Sequence, residues 1–72
     1  MIDLREMEKA KGHQVKVLVN MANGTTKIFQ GRCSEYNLPA PGEDEHHNIA
    51  VWIGGISYEL NDYEIESIEI LD

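Results

Sequence analysis

Strict period-two alternation, cut at two places by turn dipeptides, constrains this chain more than any other feature. Val15, Val17 and Val19 alternate with Lys16, Leu18 and Asn20, the pattern of a half-buried strand rich in β-branched residues. Asn23-Gly24 follows and predicts a type I′ hairpin, in which both central residues take positive φ. The chain returns through residues 25–30, bends or bulges at Gly31, and continues as a strand over 32–36. Residues 49–53 predict a third strand with apolar residues on both faces, and Gly54-Gly55 a second tight hairpin. Ile56, Tyr58 and Leu60 then alternate with Ser57 and Glu59. A single turn at Asn61-Asp62-Tyr63 leads into a last strand with Ile65, Ile68, Ile70 and Leu71, Glu66 and Glu69 pointing outward.

Residues 2–12 predict a short helix. Asp3 is the expected N-cap, with Glu6 at N3 in a capping-box pattern and Ile2 and Met7 at the positions of a hydrophobic staple. Leu4, Met7 and Ala10 share one face, Lys9 and Lys11 suit the last turn, and Gly12 is the expected C′ residue. So short a helix is marginal alone, so it is expected to pack on the strands and cover an open barrel end. Residues 37–48, with Pro39, Pro41 and Gly42, predict the one long loop. The reading is a single domain over 1–72: helix 2–12, barrel 14–71, acidic loop 37–48. It is mainly β, a five-stranded, partly open barrel with a short N-terminal helix. Seventy-two residues give a thin core and a stability of roughly 3–5 kcal/mol.

This order of elements resembles the SH3-like and Sm-like small barrels, and the Sm-like family in particular. Val17, Val19 and Met21 ahead of Gly24, Gly31 inside the second strand, and Cys33, Tyr36 and Asn37 after it are similar to that family's first motif. The resemblance implies a strongly bent five-stranded barrel behind an N-terminal helix. Three departures limit what it carries. Gly24 and Gly31 stand further apart than their counterparts do. Ile53-Gly54-Gly55-Ile56 replaces the Arg-Gly pair that contacts nucleotides in RNA-binding members, and the 37–48 loop is long and acidic where theirs is short. RNA binding therefore does not transfer residue by residue. A narrower likeness, to acidic Sm-like inhibitors of the termination factor Rho, rests on the acidic balance and on the segment from Tyr58-Glu59-Leu60 to Ile65-Glu66-Ser67-Ile68. It implies a regulator that binds a protein.

Charge is distributed unevenly. All six basic residues, Arg5, Lys9, Lys11, Lys16, Lys27 and Arg32, lie in the first 32 positions, with only Asp3, Glu6 and Glu8 among them. Residues 33–72 hold ten acids and no Lys or Arg. That half repels phosphate backbones, which need basic side chains to displace counterions. It suits a basic partner surface, or the basic half of a second copy; it also keeps a small domain dispersed. No apolar run approaches the roughly 20 residues that span a bilayer. The charged opening residues do not read as a signal peptide. Cys33, the only cysteine, forms no intrachain disulfide and fits a cytoplasmic location.

Candidate chemistry is sparse. Glu43-Asp44-Glu45-His46-His47 is the one cluster with zinc or nickel ligand types, but adjacent loop residues are not preorganised, and neither a resident metal nor another cofactor is expected. The two histidines make the loop a candidate for pH response. Ser34, Ser57 and Ser67 lack a nucleophile-elbow context, and nothing orients His46 or His47 toward Cys33, so no enzyme is expected. Phe29, Tyr36, Trp52, Tyr58 and Tyr63 are spaced as core and strand-pair residues rather than as a stacking platform.

The expectation is a non-catalytic acidic binding module, a regulator or inhibitor acting on a basic protein surface. Its contact residues would be Glu43, Asp44, Glu45, His46, His47, Glu59, Asp62, Glu64, Glu66 and Glu69. One alternative is a self-assembling Sm-like ring, a homo-oligomer. The second is RNA or DNA binding through the basic half, which needs its six cations on one face. No membrane partner is expected.

Overall fold

The computed structural model describes residues 2–39, 42 and 46–72. Helix α1 spans Leu4–Ala10. Five strands follow: β1 Gln14–Asn20, β2 Thr26–Asn37, β3 Asn48–Ile53, β4 Ile56–Asn61 and β5 Ile65–Ile70. They form one antiparallel sheet in the order β4-β3-β2-β1-β5, open between its two edges.

The long strand β2 curls the sheet. Its first half pairs with β1 and its second half with β3, and Arg32 lies opposite both Gln14 and Trp52. Gly31 permits this. A Cβ there would run into the Trp52 carbonyl oxygen and come within 3.1 Å of Ile53 Cγ1, so only a residue without a side chain lets β3 approach. A register shift between Cys33 and Glu35 adds to the bend. The bend or bulge expected at Gly31 is therefore present.

The concave side holds the core. Val15, Val17 and Val19 of β1 are buried, with Phe29 and Cys33 of β2, Ile49 and Val51 of β3, Leu60 of β4 and Ile65 of β5. Each fully buried aliphatic side chain contributes about 1.5–3 kcal/mol. Helix α1 packs near β2 and β5 and adds Met7 and Ala10, with Ile2 ahead of it. Its end is sewn to the bend of β2: the Gly12 N–H donates to the Cys33 carbonyl at 2.7 Å, and the Cys33 N–H to the His13 carbonyl at 2.9 Å.

Three local expectations are corrected. The helix is shorter than 2–12, because Asp3 caps it and the chain leaves at Lys11, with Gly12 at φ +86°. The Asp3 carboxylate accepts from the Arg5 N–H at 2.9 Å, not from N3, and the Arg5 guanidinium closes over it at 3.1 Å. Among the described residues only glycines have positive φ, so Asn23-Gly24 is not a type I′ turn. The Gly24 N–H donates to the Met21 carbonyl, Gly24 alone takes positive φ (+85°), and the Asn23 side chain accepts from the Thr25 N–H. This is the three-residue loop with a glycine bulge. Gly54 and Gly55 do both take positive φ, as their tight hairpin requires.

Candidate functional site

The turn between β4 and β5 joins the two open edges of the sheet, and Glu59, Asp62, Glu64, Glu66 and Glu69 lie in it or on the two strands it connects. Glu59 is exposed on β4; Glu66 and Glu69 are exposed on β5. Glu66 falls where the β1–β5 register shifts, so it has no partner on β1. Glu64, in the turn, is half-buried, and its Oε1 accepts from the Asn61 Nδ2 at 2.8 Å and the Asn61 N–H at 3.3 Å. The ion pairs among the described residues are Arg5–Asp3, His13–Asp72 and His46–Asp62, so Glu59, Glu64, Glu66 and Glu69 face no Lys or Arg at ion-pair distance.

Asp62 differs from these four. It is buried, 2% exposed, and turned toward the end of the long loop. Its Oδ2 accepts from the His47 N–H at 3.1 Å, its Oδ1 lies 3.2 Å from His46 Nδ1, and its own N–H donates to the His47 carbonyl at 2.9 Å. The Tyr36 hydroxyl sits 2.6 Å from His47 Nδ1. Burial, helped by the charges of Glu8 and Asp62, pushes the Tyr36 phenol up, so it keeps its proton and can donate to that nitrogen. The exposed His46 meets Tyr63 edge-on, ring centroids 4.6 Å apart. Asp62, His46 and His47 thus anchor the loop end where the sequence reading had them as contact residues. Glu43, Asp44 and Glu45 lie outside the described residues.

Two of the nucleophile candidates, Cys33 and Ser34, are engaged elsewhere. Cys33 is buried with its Sγ 3.6 Å from the Glu35 carbonyl, and burial pushes the thiol up, which disfavours the thiolate. The Ser34 hydroxyl accepts the Trp52 indole N–H at 2.8 Å. Among the described residues no three His, Cys, Asp or Glu side chains converge as metal ligands.

The aromatic residues divide. Phe29 is buried and lies 5.4 Å from Tyr58, ring to ring, and Tyr36 and Tyr58 are half-buried. Trp52 and Tyr63 are not core: they are 47% and 56% exposed. Trp52 alternates with the inward Ile49 and Val51 and so lands on the outer face, between Arg32 and Ser57. Tyr63 sits exposed in the turn between β4 and β5.

Three of the six basic residues make distinct local contacts. Arg5 pairs with Asp3 at the helix start, and Lys27 lies 5.1 Å over the Phe29 ring. Lys16 lines a shallow outer depression with Leu18, Ile28, Ser67, Ile68 and Glu69. Sequence reading missed this depression; the side-by-side placement of Leu18 and Ile28 follows only from the β1–β2 register.

Comparisons with family models, with curated proteins and with solved structures find no match to this chain.

Proposed function

We propose that this chain is a non-catalytic binding module with an SH3-like or Sm-like barrel, and that its acidic second half engages a basic surface on a protein partner. The observation that carries the reading is the placement of Glu59, Glu64, Glu66 and Glu69 on the two edge strands and the turn between them, with no Lys or Arg paired to them among the described residues. Unneutralised acids along an edge steer and orient a cationic partner more than they add raw affinity. A regulator or inhibitor of a nucleic-acid-handling protein fits, because such targets carry basic surfaces. The occupied Ser34 hydroxyl and the buried, raised-pKa Cys33 support a non-catalytic role. A cytoplasmic location goes with the reading; among the described residues no helix is long and apolar enough to cross a membrane.

Capture of partners from lysate tests it, carried out in parallel with the natural chain and with Glu59→Gln/Glu66→Gln/Glu69→Gln. The expected result is a protein with a basic surface that the natural chain retains at low salt, that high salt releases, and that the triple variant fails to retain. A partner retained equally by both forms would place the contact elsewhere.

One observation favours a second reading. The sheet is open at both β4 and β5, so copies pairing edge to edge could close into a ring. A solution mass that stays at 8.2 kDa across concentration and salt would eliminate it.

A further inference from the structure

We infer that the free edge of β5 is a docking strand for an extended, basic segment of the protein partner, which adds to the sheet beside β5. The inference rests on the reading of the acidic half as the partner-binding surface and specifies what that surface recognises.

Among the described residues strand β5 pairs with β1 alone. The Leu71 N–H donates to the Gln14 carbonyl at 2.8 Å, so the main chain of Leu71 faces β1. Backbone donors and acceptors alternate sides along an antiparallel strand, so Glu69 and Ser67 face β1 as well. Ile68 and Ile70 turn their N–H and C=O groups to the open edge, and among the described residues nothing outside the sheet bonds to them. The other edge is less free. The Gly54-Gly55 hairpin makes Ile53 and Ile56 its closing pair, which leaves Ser57, Glu59 and Asn61 facing outward. The Asn61 N–H is already engaged by Glu64.

Side chains on β5 set the chemistry of the guest. Ile68 is half-buried against the core and Ile70 is 42% exposed, so residues of an added strand on that side are apolar. Glu66 and Glu69 are exposed, and Lys16, opposite Glu69 on β1, stays outside ion-pair distance of it. Residues of the guest beside these glutamates are Lys or Arg. A second β5 paired antiparallel with Ile68 opposite Ile70 would set Glu69 against Glu69, which is destabilising across a strand pair. The guest is therefore an extended segment of alternating apolar and basic residues, the β-augmentation mode in which main-chain bonds supply affinity and alternate side chains supply specificity.

A fluorescein-labelled peptide of alternating valine and lysine tests this. It is compared by anisotropy with the same peptide N-methylated at alternate residues, which keeps the charge but removes the main-chain donors of one edge. Amide exchange is followed on the natural chain in parallel. The expected result is salt-sensitive binding that N-methylation weakens about tenfold or more, with slowed exchange at Ile68 and Ile70 in the complex. Ile70→Pro, which removes an edge donor but no bond to β1, should weaken binding similarly; the N-methylated peptide decides the matter if that variant fails to fold. Equal binding of both peptides with no protection at Ile68 and Ile70 would overturn the edge and leave the acidic surface standing. No binding of either peptide at low salt would overturn both. Ile68 and Ile70 already protected in the chain alone, at a mass above that of the monomer, would give the edge to a second copy and overturn the inference.

Discussion

Asp62 and His47 hold each other by reciprocal hydrogen bonds: the His47 N–H donates to the Asp62 carboxylate at 3.1 Å, and the Asp62 N–H donates to the His47 carbonyl at 2.9 Å. The pair fastens the end of the long loop to the turn that joins the two sheet edges. Asp62→Ala removes the acceptor and strands a His47 donor, at an expected cost of about 1–3 kcal/mol. For a domain of this size each kcal/mol lowers Tm by roughly 4–8 °C. Thermal melts check the stability, and amide exchange at His47 checks the location. An unchanged Tm with unchanged exchange would show that the pair anchors nothing.

Gly31→Ala places a methyl group against the Trp52 carbonyl, a backbone group that cannot swing aside. Overpacking of this kind costs roughly 1–3 kcal/mol, most of what so small a domain has. Denaturant midpoints read the loss. A midpoint equal to that of the natural chain would mean β3 does not approach β2 as closely as described.

Trp52 is the only tryptophan, so tryptophan fluorescence reports on the outer face alone. Its emission should be that of a water-exposed indole and should be readily quenched by iodide. Ser34→Ala frees the indole N–H to water and should change stability by no more than about 1 kcal/mol. Blue-shifted, unquenched emission would instead place the ring in the core.

The Gln14 N–H and the His13 side chain, in that order, hold the Asp72 carboxyl below its ordinary range. A depressed carboxylate contributes stability that is present above its unfolded pKa and is lost as pH falls through the folded value. The Gln14 amide resonance should therefore stay constant through the ordinary carboxylate range and move only at more acidic pH, and Asp72→Asn should abolish that movement. A Gln14 titration at the ordinary carboxylate pKa would contradict the contact.

The elements that sequence reading recovers are those set by local chemistry. The β1 valines alternate into the core, Gly54-Gly55 turns as two consecutive glycines allow, and Gly31 marks the bend. What it misses depends on partners distant in the chain. Nothing near Asp62 in sequence says that its carboxylate turns inward to His46 and His47 rather than joining Glu64 and Glu66 at the surface. An apolar run on both faces of β3 does not say that the outer face stays uncovered, which is why Trp52 read as core. Asn23 fits two hairpin loops, and its bond from Thr25 selects the longer one. Of the candidate contact residues, the outward Glu59, Glu66 and Glu69 were legible from alternation with their apolar neighbours.

In the proposed complex the acidic edges, not the basic residues, meet the partner. Amide chemical-shift mapping with the captured partner, or with the valine–lysine peptide in its place, tests it most directly. The expected shifts concentrate at Glu59, Glu64, Glu66 and Glu69 and fade at high salt. Shifts concentrated instead at Arg5, Lys9, Lys16 and Arg32 would contradict it.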